Sequence, residues 1–182
     1  MPLFNPVRRQ LWAPSDNNLA GASGDSANGQ GGLIWPTSGT LNFARVLVTS
    51  PLVTNILFHF TVAGATLTAG QCFAGLYTSA GVLIGTTADQ AAAWVTGGLK
   101  TMALTVAQAT TIDTFYYVAW YAVGTTMPTQ TRLINSSSVI TNVGLAAPNL
   151  RFGIADTGLT TALPDPMGTQ TGGATAWWVG LS

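Results

Sequence analysis

The stretch that decides the fold is Phe115-Tyr116-Tyr117-Val118-Ala119-Trp120-Tyr121-Ala122-Val123. In an extended strand alternate side chains point to opposite faces, and here both faces are apolar and aromatic. An antiparallel strand in an isolated β-sandwich usually keeps one face in water. The stretch therefore predicts a strand that is covered on both sides. Either another segment of the same chain or a second subunit provides the cover, and the pattern leaves both alternatives open.

Segments with strand character recur at short intervals on both sides of this stretch. In residues 56–62 every second side chain is large and apolar, and this period of two is typical of a strand. Ser79-Ala80-Gly81 is typical of a hairpin turn. Evenly spaced strands with Gly and Pro turns favour an all-β fold, here an antiparallel jelly-roll-like β-sandwich. Helical turns are expected only near residues 87–94 and 106–110. The predicted strands are residues 41–49, 56–62, 71–78, 82–85, 98–105, 115–123, 130–134, 139–143, 151–155 and 176–181.

The first forty residues differ from the rest in composition. Residues 1–40 are expected to form an extended N-terminal arm with a Gly-rich linker at 21–32, and residues 41–182 the sandwich domain. Apolar residues precede the linker, which favours an arm that docks on a neighbouring subunit over a terminus laid across its own domain. Arginines beside them suit carboxylates on a partner. The predicted partner-binding residues of the arm are Leu3, Phe4, Val7, Arg8, Arg9, Leu11 and Trp12.

The charge content points to a protein held in an assembly. Only 7% of the 182 residues are charged, and six Lys and Arg balance six Asp and no Glu, whereas ordinary domains carry about 25% charged residues. A net charge near zero promotes association, and a subunit interface is expected at Tyr116, Trp120 and Trp178. The lack of a basic stripe predicts no nucleic-acid partner. The lack of a long apolar run predicts no membrane partner, and the first residues predict no signal peptide.

Side chains able to carry chemistry are few. His59 lies mid-strand without a neighbouring acid, and Cys72 lies in an apolar run that favours a buried position. Asp156 and Asp165 are the closest pair for glycan cleavage, but loop aspartates more often form turns. The sequence therefore predicts no catalytic residue, no metal site, no cofactor and no enzyme activity. Six tryptophans offer faces for sugars, although packing or subunit contact is favoured for each.

One resemblance to a known group of proteins is carried by four segments. They read Gly75-Leu76-Tyr77-Thr78-Ser79-Ala80-Gly81-Val82-Leu83-Ile84-Gly85-Thr86-Thr87-Ala88-Asp89-Gln90, then Gly98 to Thr105, Phe115 to Val123, and Gly124-Thr125-Thr126-Met127-Pro128. With the closing Leu163-Pro164 and Trp177 to Leu181, they resemble a module that recurs in tailed phages of actinobacteria. The resemblance implies a jelly-roll-like domain on a virion, of the minor tail, head decoration or fibre type. It also implies a homotrimer, because such proteins often form trimers and the doubly apolar strand at 115–123 favours a partner. No shaft sequence is present, which favours direct attachment to a shell or tail.

These observations predict a non-enzymatic structural protein on the surface of a tailed phage virion, made in the host cytoplasm. The first interpretation is a capsid decoration-type protein anchored through its arm, with the major capsid protein or tail proteins as partners. The alternative is a minor tail or receptor-binding module that binds host cell-wall glycans. Deletion of residues 1–20 is expected to leave the sandwich folded and to abolish incorporation into particles.

Overall fold

The computed structural model describes residues 12–35 and 37–182, which form almost only antiparallel strands and turns. One short helix, α1, spans Ser138–Thr141, and 3₁₀ turns span Pro14–Asn17 and Ser26–Asn28. None of the helices within the described ranges is long and apolar enough to cross a membrane. The strands are β1 (Gly21–Ala22), β2 (Gln30–Ile34), β3 (Leu41–Val48), β4 (Leu52–Val62), β5 (Ala65–Tyr77), β6 (Leu83–Thr86), β7 (Gly98–Ala109), β8 (Thr114–Thr126), β9 (Thr129–Asn135), β10 (Phe152–Asp156), β11 (Thr171–Gly172), β12 (Thr175–Trp177) and β13 (Gly180–Leu181).

The strands pack as a β-sandwich, which confirms the predicted fold class. One layer contains β3, β8, β5 and β6, and the other contains β7, β4 and β9. The short strands β1 and β13 join the two layers, because β1 pairs with both β3 and β13 and β13 pairs with β4. At the other side, a bridge between Thr87 and Leu104 links the end of β6 to β7. The remaining strands β2, β10, β11 and β12 add to the edges of these layers.

The space between the layers is filled by large aromatic side chains. Trp35 packs edge-on against Trp94 with ring centroids 5.0 Å apart, and Phe58 packs against Trp120 at the same separation. Such edge and tilted pairs are favourable beyond the area they bury. Tyr116, Val118, Trp120 and Ala122 of β8 all point into this core, as their alternation predicts.

The second face of β8 is covered by the same chain. Tyr117, Ala119 and Tyr121 pack with Leu163 and Met167, which lie in loop 157–170 between β10 and β11. The phenol of Tyr117 donates a hydrogen bond to a backbone carbonyl 2.7 Å away, at Pro148. In the described residues, the doubly apolar strand is therefore covered by a segment of the same chain, which is one of the two alternatives that the sequence left open.

The burial of three other aromatic side chains overturns the predicted subunit interface. Within a single chain Trp120 is 0% exposed, Tyr116 is 8% exposed and Trp178 is 6% exposed. Trp120 lies in the core between the layers, and the carbonyl of Trp178 accepts a hydrogen bond from the buried Gln130. These three side chains have almost no surface left for a partner, so their assignment to an interface is wrong. The homotrimer itself stays a prediction.

The predicted Gly-rich linker is also corrected, because the chain from Ala20 to Trp35 belongs to the sandwich. β1 and β2 pair with neighbouring strands, and Ala20 and Trp35 are buried in the core. Glycine allows β1 to lie close to β3 here, because a Cβ on Gly21 would be 2.8 Å from the carbonyl oxygen of Leu47. The Ala20 amide also donates to the Leu181 carbonyl, and the Ala20 carbonyl accepts from the Thr49 amide. A deletion of residues 1–20 would therefore damage the fold.

The predicted arm residues Leu3, Phe4, Val7, Arg8, Arg9 and Leu11 lie outside the described residues, and the arm stays a prediction. Trp12, the first described residue, is half-buried.

Two local predictions of secondary structure are wrong. Residues 139–143, expected as a strand, overlap α1, whose first turn is capped by the Ser137 hydroxyl, which accepts from the Ile140 amide at 3.3 Å. Residues 106–110, expected as a helical turn, mostly continue β7.

We expect the buried Gln130 to be essential for stability. Its Oε1 accepts from the Trp35 indole at 2.7 Å, and its Nε2 donates to the Trp178 carbonyl at 2.8 Å. Gln130→Leu leaves both groups buried without partners, and it should lower the free energy of unfolding in urea by about 2–5 kcal/mol. The matched control Gln30→Leu, at an exposed position of β2, should change it by less than about 0.5 kcal/mol. Equal effects of the two substitutions would contradict this role.

Candidate functional site

The lone cysteine is placed as a core residue. Cys72 on β5 is fully buried, and burial raises the pKa of its thiol to about 11. The thiol is the weak form of a cysteine nucleophile, so at neutral pH this side chain is suited to packing. The sequence interpretation of Cys72 as a small buried hydrophobe is confirmed.

The two aspartates considered for glycan cleavage hold a loop in place. Asp156 accepts a hydrogen bond from the Gly168 amide at 2.9 Å, and Asp165 accepts one from the Leu83 amide at 3.0 Å. Both carboxylates lie near Tyr77, whose pKa is raised by burial and, to a smaller extent, by their negative charges. Their contacts fasten loop 157–170 over β8. Within the parts of the chain that the structure describes, no three His, Cys, Asp or Glu side chains lie together.

The first candidate site is a groove of ≈ 410 Å³ beside the start of β8. We call it the arginine surface, and its main residues are Arg45, Phe115, Leu145 and Arg151. The Arg45 guanidinium carbon lies 4.1 Å from the centroid of the Phe115 ring, which is a cation–π contact. Phe115 is 41% exposed, because loop 157–170 covers Tyr117 but Phe115 lies outside that packed cluster.

The two arginines have spare hydrogen-bonding capacity. Arg45 donates from Nη1 to the Asn149 carbonyl at 3.2 Å, and Arg151 donates from Nη2 to the Ser23 carbonyl at 2.8 Å. The Nε of Arg45 is buried without a partner within the described ranges. No carboxylate lines the groove, and burial lowers the pKa of Arg151. Since a guanidinium offers five N–H donors, this surface is chemically matched to an incoming carboxylate.

Apolar side chains continue the arginine surface on one side. α1 and the turn after it expose an apolar patch. Asn142 holds this segment against β10, because its Oδ1 accepts from the amides of Arg151 (2.7 Å) and Phe152 (3.0 Å). Its Nδ2 donates to the Phe152 carbonyl at 3.0 Å. The apolar patch consists of Val139, Ile140, Val143 and Leu145.

The second candidate site is a groove of ≈ 550 Å³ on the other layer, which we call the His59 groove. It is opened by a β-bulge: Gln30 pairs with Arg132 of β9 but Leu33 pairs with Gln130, so β2 has one extra residue. The bulge brings Gly32 so close to Thr61 that any side chain there would clash. The groove is lined by Ser26, Gly29, Gln30, Gly31, His59, Thr61, Leu99, Thr131 and Trp178.

Sequence reasoning found neither site as a whole. The sequence pattern predicts no catalytic role for His59 and a subunit interface for Trp178, whereas the structure places both at the same groove. Arg45, Phe115 and Arg151 are far apart in sequence, so their meeting gives no local signal. The one available signal was the apolar content of residues 139–143, which predicted a strand.

Comparisons with known proteins add no assignment to these sites. No protein-family model, no curated protein and no solved structure matches the chain. The functional interpretation therefore depends on the two surfaces themselves and on the resemblance noted in the sequence.

The position of the apolar patch should depend on Asn142. Asn142→Ala removes the acceptor of two backbone amides, and we expect it to lower the free energy of unfolding by about 2 kcal/mol or more. Hydrogen exchange of the Phe152 amide should accelerate at the same time. The control is Asn149→Ala, which keeps the backbone carbonyl that Arg45 uses and should change stability by less than about 0.5 kcal/mol. Unchanged exchange at Phe152 would show that Asn142 does not hold this segment.

Proposed function

We propose that the chain is a non-enzymatic structural protein of a tailed phage virion, attached to another virion protein through the arginine surface and the apolar patch. The observation that carries the proposal is the pairing of uncompensated arginines with exposed apolar side chains on one surface. Interfaces are enriched in arginine and aromatic residues relative to the rest of a surface, and both occur together at Arg45 and Phe115.

The energetics favour such docking. A fully buried Val, Leu, Ile or Phe side chain stabilises a complex by about 1.5–3 kcal/mol, and the patch offers several that are exposed in the single chain. A guanidinium that is already partly withdrawn from water gains more from a carboxylate than a fully hydrated one does. The partner that fits is therefore a virion protein, of capsid or tail, that presents acidic and apolar residues side by side.

The predicted N-terminal arm fits the same attachment. Ala22 and Ser23 line the arginine surface, and they follow Trp12 by ten and eleven residues. The 3₁₀ turn at Pro14–Asn17, between the arm and this surface, contacts β1. In this proposal the arm and the surface engage the same partner, the arm by its apolar residues and the surface by its arginines.

The surface is tested with two exposed valines. Val143, in the apolar patch, is 73% exposed, and Val106, on β7, is 66% exposed. Particles of the parent phage are assembled with Val143→Asp or Val106→Asp supplied in trans, and occupancy is measured by quantitative mass spectrometry of purified particles. We expect Val143→Asp to lower occupancy at least tenfold, since an aspartate there repels the acidic partner, and Val106→Asp to keep it normal. Normal occupancy of both variants places the attachment elsewhere, and absence of the wild-type chain from particles refutes the virion assignment.

The arm is tested by a deletion that spares the sandwich. A chain that begins at Trp12 keeps Ala20 and its backbone hydrogen bonds, so we expect cooperative unfolding as in the full chain. Occupancy of particles should fall at least tenfold if the arm contributes to docking. Full occupancy of the truncated chain would restrict the attachment to the body. The mass of the isolated full chain in solution, measured alongside, tests the predicted homotrimer.

A further inference from the structure

We propose that the His59 groove is a binding site for an uncharged saccharide. This inference goes beyond attachment to a particle and uses residues that the arginine surface does not share. The groove has the size of typical small-ligand sites, which occupy about 300–1,000 Å³. Its residues come from the 3₁₀ turn at Ser26–Asn28 and Gly29 after it, from the bulged β2, from β4, β7 and β9, and from Trp178.

The lining selects against charged ligands. None of the described residues that line it is an Asp, Glu, Lys or Arg. Lys100 and Arg132 are adjacent in sequence to Leu99 and Thr131, but neither lines the groove, and Lys100 instead donates to the Thr96 hydroxyl. An acidic sugar would lose hydration here without gaining a fixed cation, and unpaired buried charge is costly. A neutral ligand avoids this cost.

The polar groups of the groove are those that recognise hydroxyl groups. His59 Nδ1 lies 2.7 Å from Thr131 Oγ1, which fixes the orientation of the imidazole. The Nε2 atom of the same ring has no hydrogen-bond partner within the described parts of the chain, and it is not one of the buried unpartnered atoms. It therefore faces solvent, free to donate or accept. Because a hydroxyl group both donates and accepts hydrogen bonds, a hydroxyl group of a ligand can bind to the His59–Thr131 pair.

The apolar part of the groove matches the C–H faces of a sugar ring. Leu99 is 59% exposed and pairs across the sheet with His59, so an apolar surface lies directly beside the imidazole. Trp178 also lines the groove, although most of its surface is buried. Alternating hydroxyl and C–H surface is the chemistry of a saccharide, whereas a purely apolar ligand would leave the polar groups of His59 and Thr131 unused.

The experiment uses the single histidine as a reporter. Because His59 is the only histidine, its ring C–H signals in an NMR spectrum report on the groove without assignment of other residues. Neutral oligosaccharides of glucose, galactose, mannose and arabinose, and acidic ones that carry uronate or phosphate, are titrated into the full chain. We expect at least one neutral oligosaccharide to shift the His59 signals with saturation, and the acidic ones to bind at least tenfold more weakly.

Two variants and a control decide whether the groove is the site. Leu99→Asp and Thr131→Val should each weaken binding at least tenfold, whereas Val106→Asp on the same strand as Leu99 should leave it unchanged. Thermal unfolding confirms that each variant is folded. The proposal is overturned if no neutral oligosaccharide shifts the His59 signals, if acidic ones bind as well, or if Leu99→Asp binds like the control. These results are independent of particle occupancy, so attachment and saccharide binding succeed or fail separately.

Discussion

The burial of β8 on both faces is the constraint on which the rest of the structure depends. β8 is also paired along both edges, with β3 from Asn42 to Val48 and with β5 from Cys72 to Tyr77. A strand enclosed in this way has no freedom of register, because a shift by one residue would exchange its two sets of side chains. Where the cover ends, at Phe115, the arginine surface begins. The candidate attachment site is thus the uncovered end of β8.

Two buried side-chain amides make connecting hydrogen bonds of a kind that charged residues make in other proteins. Gln130 joins the Trp35 indole to the Trp178 carbonyl, next to the His59 groove. Asn142 joins α1 to β10, next to the arginine surface. An amide both donates and accepts, so it can satisfy backbone and indole groups without the cost of burying a charge. Each candidate site is therefore positioned by an uncharged polar side chain in the layer beneath it.

The sequence predicted the sandwich because strand signals are local: alternation, β-branched residues and turn glycines act over a few residues. It failed where tertiary contacts override composition. Residues 21–32 have the glycine content of a linker, yet glycine there allows β1 and β2 to approach their neighbours closely. It also failed for Tyr116 and Trp120, because no local pattern tells whether an aromatic face is buried against the other layer of the same sandwich or by a subunit. The sites depend on contacts between distant segments, such as Arg45 with Phe115, and these have no signature along the chain.

The zero net charge conceals a separation of charge. Asp156, Asp165 and Asp89 accept hydrogen bonds from backbone amides, and so do Asp16 and Asp25 in the first part of the described chain. Their charges are thereby partly compensated within turns and loops. Among the described residues, Arg45 and Arg151 have only carbonyl acceptors, and they lie at one groove. A chain that is neutral as a whole can therefore present a cationic surface to one partner. Its zero net charge gives no long-range attraction, but the cationic surface still favours one orientation of that partner.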